Sequence, residues 1–327
     1  MAINLASKAS AKVAERFNLA SCTEGLFSTK YDWTGVATVR VYSVDVLSLN
    51  NYDRTASSAR FGTLTEIGDT YQEMTVTDDK SFSGSIDKGN NTSQLMIKAA
   101  SSVLKRETDE VIIPYIDKYR LNKLATGAGI VYALTAAPTS ANAIATFLGA
   151  GAAMSNQLVP KAGRVLFIGE TAAINIKLAS QVIGVDSLAE KVIVNGVIGG
   201  LDGMQIRIVP DSYMPTGCTA LIVRKGAAVA PKKVETYRVI EEDKDVDGSI
   251  VQGRFLHDCF VLDASKKGVL SMEVVTNGGG YAYAPVLTPA ANPYTAGYYK
   301  KSATGFAAVP STETTVQANT VYYERLG

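Results

Sequence analysis

A short alternating segment stands directly before a long amphipathic helix, and this pairing limits what the chain can fold into. In Tyr71–Lys88, small or apolar residues alternate with threonines and serines on both sides of Asp78-Asp79; they are Met74, Val76, Phe82, Gly84 and Ile86. Because successive strand residues point to opposite faces, this pattern predicts a two-stranded hairpin with one apolar and one Ser/Thr face. An isolated hairpin is marginally stable in water, so the apolar face must pack on another surface.

The helix that follows is long for a globular protein. Asn91 with Gln94 three residues later is a variant of the capping box and predicts the helix start. Apolar residues then recur at helical spacing, at Met96, Ala99, Val103, Ile112, Ile116 and Tyr119. The pattern covers roughly thirty residues, against a mean of about 11–12, and Pro114 should kink it or begin a second segment. Such a helix beside a hairpin indicates an extended spine rather than a compact globule.

The remaining chain divides into an arm, an α/β region and a tyrosine-rich end. In the arm, Thr34–Leu49 alternates and predicts a strand. After Gly129 the pattern predicts helices at Ser140–Asn156 and Thr171–Ser180, strands at Arg164–Ile168, Lys191–Val194, Gln205–Val209 and Thr219–Val223, and turns at Asn195-Gly196 and Asp202-Gly203. Ile250–Asp263 and Val269–Thr276 predict the last strong strand pair, turning at Ser265–Gly268. Beyond Gly280, a proline-bearing linker leads to two short tyrosine-rich strands, which predict a small β appendage.

Composition excludes several classes of chemistry. His257 is the only histidine, and an adjacent Asp258 in a strand would point to the opposite face, so the two cannot act as general base and orienting group. Three widely spaced cysteines (Cys22, Cys218 and Cys259) favour a reducing compartment over a disulfide framework. The acidic stretch Glu241–Gly248 lacks the ligand spacing of a calcium loop. We therefore expect no catalytic residues, no cofactor and no metal ion.

Charge and hydropathy exclude two further classes. Lys plus Arg (32) nearly balances Asp plus Glu (31), and a net charge of +1 argues against a dedicated nucleic-acid-binding protein. No run of about 18 apolar residues occurs, so no membrane span is expected. A 46% share of hydrophobic residues is nevertheless enough to bury a sizeable core.

A series of short motifs, taken in order, resembles the major capsid proteins of tailed bacteriophages. The motifs are Arg60-Phe61-Gly62, Glu66-Ile67-Gly68, Asp79-Lys80-Ser81-Phe82, Ile86 to Thr92, Asp109 to Pro114, Asp117 to Arg120, Asn195 to Gly199, Asp202-Gly203, Val209 to Pro215, Gly253-Arg254-Phe255 and Phe260-Val261-Leu262. No single motif is enough to establish the resemblance. The ordered set, together with the order of arm, hairpin, spine helix, α/β region and returning strands, carries the resemblance over residues 30–275.

The resemblance implies an α+β fold of the phage major-capsid type. Its parts would be an N-terminal arm (1–60), an extended hairpin loop (61–90), a peripheral domain with the spine helix (91–125 and 226–276), an α/β axial domain (126–225), and a linker with a small Tyr-rich β module (277–327). The resemblance also implies a structural protein, not an enzyme. It would self-assemble as hexamers and pentamers into an icosahedral shell that encloses double-stranded DNA.

Two residue sets follow from this hypothesis. The hairpin would lie across a neighbouring subunit through Met74, Val76, Asp78, Asp79, Lys80, Phe82, Ile86 and Lys88. The spine helix would face inward and bring Lys98, Lys105 and Arg106 near packaged DNA. Three acidic residues beside them (Glu107, Asp109 and Glu110) instead favour an ordinary solvated helix face.

The resemblance also implies partners and a location. The partners would be further copies of the chain, portal and head-completion proteins, and packaged DNA, with no membrane. No helical scaffolding segment precedes the arm, so we expect a separate scaffolding protein. Assembly would take place in the bacterial host cytoplasm and the product would be the virion. The alternative is an encapsulin, a bacterial compartment shell with a similar fold; a secreted surface protein and an α/β enzyme fit less well, because the chain shows neither an export signal nor a nucleophile–base pair.

Overall fold

The computed structural model describes residues 21–33, 38–47, 49–55, 57–64, 66–89, 100–179, 200–240, 247–276, 279–286, 289–302, 305–318 and 320–326. The helices are α1 (Ala100–Glu107), α2 (Ile113–Thr126), α3 (Ala143–Asn156) and α4 (Glu170–Lys177), with a π-helical turn (Thr108–Ile112) and 3-10 turns at Asp211–Tyr213 and Asp263–Gly268. The predicted helix start at Asn91, the strand at Lys191–Val194, the turn at Asn195-Gly196 and most of Glu241–Gly248 lie outside the described residues.

Seventeen strands are present in the described part of the chain. They are β1 (Thr38–Val44), β2 (Asp69–Thr75), β3 (Asp78–Asp87), β4 (Ile130–Leu134), β5 (Arg164–Gly169), β6 (Gly200–Leu201), β7 (Met204–Val209), β8 (Cys218–Arg224), β9 (Ala228–Val229), β10 (Lys232–Ile240), β11 (Gly248–His257), β12 (Phe260–Val261), β13 (Val269–Val274), β14 (Tyr281–Pro285), β15 (Tyr299–Ser302), β16 (Gly305–Ala308) and β17 (Tyr322–Leu326). The predicted helices at Ser140–Asn156 and Thr171–Ser180, and the strands at Arg164–Ile168, Gln205–Val209 and Thr219–Val223, are confirmed apart from small shifts of their ends.

Ten strands form a central sheet in the order β16-β15-β17-β14-β4-β13-β8-β5-β7-β6. Strand β5 is buried at every position and pairs in parallel with β7 and antiparallel with β8. A strand buried on both faces needs consecutive apolar residues, which Val165–Ile168 supplies. Helices α3 and α4 cover one face through Phe147 and Ile176, and the end of α2 covers the other through Leu121 and Leu124.

The connection between β6 and β7 confirms a predicted turn. Asp202 and Gly203 both have positive φ, at 49° and 76°. A two-residue hairpin turn of the type that matches strand twist requires positive φ at both positions, which Asp-Gly tolerates.

Residues 100–126 form one continuous spine helix made of α1, the π-helical turn and α2. Pro114 stands in the first turn of α2, directly after the π-helical turn, so its missing N–H falls at the junction between two helical segments. Just before it, the Ile113 N–H donates to the Thr108 carbonyl oxygen five residues earlier, so the helix changes register in front of the proline. The predicted second segment at Pro114 is confirmed.

A three-stranded sheet in the order β10-β11-β3 packs on the spine helix. The contact is an apolar cluster of Ile112, Ile116 and Phe255, with Phe82, Tyr115 and Tyr237 beside it. Gly253 lies under two of these rings, and a Cβ there would come within 2.2 Å of the Phe82 ring. Only glycine therefore lets the rings close over the strand.

The predicted hairpin at Tyr71–Lys88 is wrong in its pairing. Strand β2 pairs with β1, whereas β3 pairs with β11, and Asp78-Asp79 lies inside β3 rather than in a turn. The chain passes between the two sheets at Val76-Thr77, where Thr77 donates its N–H and its hydroxyl to Asp258. Local alternation identifies strands, but it carries no information on a partner strand that begins only at Gly248.

The strand pair predicted from Ile250–Asp263 and Val269–Thr276 is also wrong. Strand β11 pairs with β10 and β3, while β13 pairs with β4 and β8. The break comes at Asp258, which is buried and accepts hydrogen bonds from Thr77, Tyr119 and its neighbour's N–H. The predicted turn at Ser265–Gly268 is part of a 3-10 turn.

The tyrosine-rich C-terminal strands are confirmed, but they extend the central sheet instead of forming a detached appendage. Strand β17 pairs with β14, and β14 pairs with β4. Tyr283 stacks on Phe306 with ring centroids 3.9 Å apart, and Tyr323 packs edge-on against Phe306. These rings form a cluster with Val131 of β4 and with Val275, which directly follows β13.

Residues 21–33, here called the strap, tie the spine helix to the central sheet. Asp117 of α2 is buried and accepts three hydrogen bonds, from the Ser21 hydroxyl, the Cys22 N–H and the Thr23 hydroxyl at 2.8, 2.7 and 2.6 Å. From the sheet, Arg207 of β7 donates to the Cys22 carbonyl oxygen. The donors satisfy a carboxylate that would be costly to bury alone.

Candidate assembly surface

Strands β1 and β2 form a two-stranded ribbon (residues 38–75, here called the ribbon). Its base is fixed to the rest of the subunit, here called the body. Fully buried Met74 belongs to a cluster with Trp33, Val76, Val229 and Leu262, and Val39 and Val41 pack against it. Trp33 in turn stacks on Phe260 with ring centroids 6.4 Å apart. The Gln72 amide makes two further bonds to the body: Nε2 donates to the Val261 carbonyl oxygen (2.9 Å) and Oε1 accepts from the Asp263 N–H (3.0 Å).

Beyond Gln72 the ribbon exposes apolar side chains along its length. Of the twenty-one large hydrophobic side chains that are exposed among the described residues, ten lie in this part of the ribbon: Tyr42, Val44, Val46, Leu47, Leu49, Tyr52, Phe61, Leu64, Ile67 and Tyr71. Val46, Leu49 and Leu64 are 96%, 101% and 99% exposed. Monomeric soluble proteins rarely expose apolar surface in such a concentration, and where it occurs it marks an interaction site.

The tip of the ribbon has a defined conformation. The Tyr52 and Phe61 rings meet edge to face with centroids 4.9 Å apart, and Asn50 donates to the Phe61 carbonyl oxygen. Gly62 has a φ of 88°, which a residue with a side chain rarely adopts, and an added Cβ would meet the Asn50 side chain at 2.5 Å. An ordered aromatic pair on an exposed tip is suited to insertion into a partner surface, because less conformational entropy is lost on contact.

The apolar residues predicted for assembly are largely buried inside their own subunit. Met74, Val76 and Ile86 are 0%, 8% and 8% exposed, and Phe82 packs on the spine helix. They therefore supply no open apolar face, and the exposed apolar side chains lie on the ribbon.

The charged residues predicted for assembly are engaged mostly within the chain. Asp79 forms a two-point ion pair with Arg254, and Lys80 lies 3.4 Å from Asp78. Asp78 also accepts hydrogen bonds from the Tyr115 hydroxyl. Lys88 is exposed beyond the end of β3. These residues join β3 to its neighbours, and any intersubunit role for them remains a proposal.

His257 is buried among aromatic rings rather than placed in an open cleft. It stacks on Phe255 and meets Tyr115 and Tyr119 edge to face. Its Nε2 lies 2.9 Å from Asp78 Oδ2, but neither ring nitrogen has an aligned hydrogen bond among the described residues. Burial lowers the pKa of His257 below its usual value, although the Asp78 carboxylate opposes this shift. This setting is that of a histidine that packs in the subunit interior.

Comparison with known proteins identifies the fold. Neither a protein-family model nor a curated protein matches the chain. A solved structure from Mycobacterium phage Che8 is 17% identical with a TM-score of 0.68, and the match covers 84% of this chain and 98% of that one. The capsid of the cyanophage P-SCSP1u is 13% identical with a TM-score of 0.69 over 82% and 92% of the two chains, and the mature capsid of bacteriophage PhiM1 is 11% identical with a TM-score of 0.64 over 85% and 93%.

The chain has the phage capsid fold. The family resemblance carried by the ordered motifs is thereby confirmed at the level of the fold. The solved chains are covered almost completely, whereas 16% of this chain has no counterpart in the Che8 structure (100% less the 84% covered).

The residues predicted to face DNA are only partly described in this capsid fold. Lys98 lies outside the described residues, while Lys105 is exposed and Arg106 is half-buried at the end of α1. Three acidic residues follow in the next four positions. The charges of this helix face therefore nearly cancel, and the DNA-facing role stays a prediction.

The described cysteines are not activated as nucleophiles. Burial raises the pKa of each of the three thiols, Cys22, Cys218 and Cys259, to about 12, so they stay protonated and unreactive. A cleft of about 770 Å³ between α2 and the C-terminal strands is lined mainly by polar groups such as Lys118, Asn122 and Tyr213. Among the described residues, no cluster of His, Cys, Asp and Glu could hold a metal ion.

Within the part of the chain that the structure describes, no helix has the length and apolar character needed to cross a bilayer.

Proposed function

We propose that this protein is the major capsid protein of a tailed bacteriophage. It assembles as hexamers and pentamers into an icosahedral shell around packaged double-stranded DNA, and it has no enzymatic activity. The observation that carries the proposal is the ribbon: a chain with the phage capsid fold fixes the base of a projecting ribbon and leaves apolar side chains beyond Gln72 uncovered.

The ribbon supplies the free energy for assembly by covering its apolar side chains with a neighbouring copy. Burial of one exposed Leu, Val or Phe contributes roughly 1.5–3 kcal/mol before the costs of association are subtracted. Seven of the ten exposed ribbon side chains are Val, Leu, Ile or Phe, so a moderate fraction of this gain is enough for a stable contact. Because the donating and receiving surfaces differ, each contact is heterologous and closes into rings when the rotation between copies permits.

The other partners follow from a shell that encloses DNA. A separate scaffolding protein, a portal and head-completion proteins would act on the same shell, which would assemble in the host cytoplasm and become part of the virion. The spine helix would face the interior, with Lys98, Lys105 and Arg106 as weak contacts for DNA. An acidic segment follows directly, so this contact adds little affinity.

Shortening of the ribbon tests the proposal. Asp45 and Gly68 are paired through a backbone hydrogen bond of 3.0 Å, so residues 46–67 can be replaced by an Asn-Gly turn without disturbing the base. We expect the shortened subunit to keep its circular dichroism spectrum and melting temperature, and to form no shells by negative-stain microscopy in the presence of the phage's own head proteins. Tyr294→Ser, which changes an exposed tyrosine outside the ribbon, is the matched control and should assemble normally.

Two outcomes would contradict the proposal. Shells of normal size from the shortened subunit would show that the ribbon is dispensable. A full-length chain that stays a compact monomer at every concentration, salt and scaffold condition would show that it is not a shell subunit. The content of purified shells separates the alternative, since DNA indicates a virion and a cargo enzyme indicates an encapsulin-like compartment; the phage capsids reported above favour the virion.

A further inference from the structure

Gln72 marks the point at which the ribbon leaves the body. On its base side, Met74 is fully buried, and on its tip side Tyr71 and Val44 are 59% and 68% exposed. Its side chain is also half-buried and reaches across to the backbone on both sides of Leu262. One side chain therefore separates the packed part of the ribbon from the uncovered part.

The two Gln72 hydrogen bonds fix the angle at which the ribbon leaves the body. The apolar contacts at the base of the ribbon cannot fix this angle. Apolar burial is non-directional, so Val39, Val41 and Met74 hold the ribbon down without setting its angle. Hydrogen bonds weaken steeply when they bend. A donor and an acceptor on one planar amide, bonded to the Val261 carbonyl and the Asp263 N–H, resist both tilt and sliding of β2.

A small change of angle at this point becomes a large displacement at the tip. The eleven residues from Phe61 to Gln72 (72 − 61) span at most about 36 Å when extended. Over that length a tilt of about 10° moves Phe61 by about 6 Å, which is more than the reach of a packing contact.

We propose that Gln72 is a positioning residue that sets the angle between ribbon and body and thereby the curvature of the shell. The inference rests on the proposed function. In a heterologous assembly, the rotation between neighbouring copies decides whether rings and shells close. With the ribbon held within a narrow range of angles, neighbouring copies take only the rotations that close rings of five and six, and shells close at one diameter.

Two substitutions at Gln72 separate the effect of its hydrogen bonds from the effect of side-chain packing. Gln72→Glu keeps the acceptor for the Asp263 N–H but loses the donor and turns a carboxylate towards the Val261 carbonyl oxygen. Gln72→Met has nearly the same size and loses both bonds. In each case we expect a folded subunit with a melting temperature within a few degrees of the unmodified one. We also expect at least a doubling of the spread of shell diameters in electron micrographs, or open sheets in place of shells.

Glu73→Gln is the matched control. Glu73 is the next residue of β2, faces away from the body and pairs with Arg40 on the exposed face. This variant should give shells of one diameter. A normal diameter distribution from both Gln72 variants would overturn the proposal, and so would an equal broadening in Glu73→Gln.

The remaining outcomes are also decisive. If Gln72→Glu fails to fold, Gln72→Met decides alone, and a failure of both to fold would make Gln72 a stability residue and end the proposal. If the unmodified chain forms no shells, the failure belongs to the proposed function and not to the role of Gln72.

Discussion

The central sheet and the ribbon are β-structures of opposite kinds. In the central sheet, β5 is buried at every position and its two faces are covered by helices of the same chain. In the described part of the ribbon, the ten large apolar side chains beyond Gln72 are exposed, and Leu49 and Leu64 are as exposed as in an extended chain. The difference teaches that the buried contacts that stabilise the subunit and the exposed apolar surface that we propose for assembly lie in separate parts of the molecule.

The spine helix, the three-stranded sheet and the strap connect these two regions. Asp117 joins the strap to the spine helix, and Asp258 joins the start of β3 to the end of β11. Both carboxylates are buried and bonded by several donors. Substitutions across the three regions should therefore give a graded loss of subunit stability, largest in the central sheet and smallest in the ribbon.

The largest effect is expected for Phe167→Ala in β5. Phe167 is fully buried in the cluster that joins the central sheet to α2, and truncation of a buried Phe costs about 3–5 kcal/mol through lost burial and the cavity left behind. Urea unfolding of the soluble subunit measures the loss. Leu158→Ala, at a side chain that is 90% exposed, is the control and should stay within about 0.5 kcal/mol. A loss below about 1 kcal/mol in Phe167→Ala would show that the sheet is not the source of stability.

Asp117→Ala should come second. Three donors of the strap lose their acceptor, and a buried unsatisfied group costs about 1–3 kcal/mol, so a total of about 3 kcal/mol is expected once water enters part of the gap. Limited proteolysis should in addition cut within residues 21–33 faster than in the unmodified chain. Asp202→Asn removes an exposed pair with Lys161 and should cost less than about 1 kcal/mol. Equal losses in the two variants would contradict the role of the strap.

The elements that sequence could predict are those set by local rules. Helical periodicity predicts the spine helix, and Pro114 predicts the start of its second segment. Asp202-Gly203 predicts a turn, and both residues have positive φ angles. The ordered motifs give the fold. These predictions hold because the residues concerned determine the structure of their own neighbourhood.

The surface that we propose for assembly could not be located in this way. An apolar strand face looks the same in sequence whether its own subunit or a neighbour covers it. The pattern therefore predicts contacts with a partner for Met74, Val76 and Ile86, which are buried within their own subunit. The uncovered residues of the ribbon follow no strand or helix period between Leu49 and Leu64, since no face of their own chain has to match them. Likewise, nothing in the spacing of Asp117 indicates that the strap binds there.

A pH dependence is the third prediction. Burial holds the pKa of His257 below its ordinary value of about 6.5, so the unfolded chain binds this proton more readily than the folded one. Stability is therefore fully present above pH 6.5 and falls as the pH drops below it, by at most about 1.4 kcal/mol per pH unit for one proton. Urea unfolding at pH 7.5 and pH 5.5 measures the difference.

The chain is suited to this measurement because His257 is its only histidine. The groups that face the ring are Asp78, Tyr115 and Tyr119, with Arg120, Lys232 and Asp258 near enough to act on its charge. Asp258 titrates outside this window, since burial pushes its pKa up but hydrogen bonds from Cys259, Tyr119 and Thr77 together hold the pKa below its usual value. His257→Gln should abolish the slope between pH 5.5 and 7.5, and an unchanged slope would assign it to another group.

For substitutions in the ribbon we expect the smallest loss of subunit stability and, under the proposed function, the largest loss of shell assembly. Leu49→Ser with Leu64→Ser replaces two side chains that contribute no buried area in the isolated subunit, so the free energy of unfolding should change by less than about 0.5 kcal/mol. In the shell, each substitution removes roughly 1.5–3 kcal/mol of apolar burial from every contact, and a shell multiplies this loss over many copies. We expect a normally folded subunit that forms no shells, while Leu158→Ser, at a side chain that is 90% exposed but outside the ribbon, assembles. A double variant that assembles normally, or one that unfolds by several kcal/mol, would show that assembly and stability are not carried by separate parts of the chain.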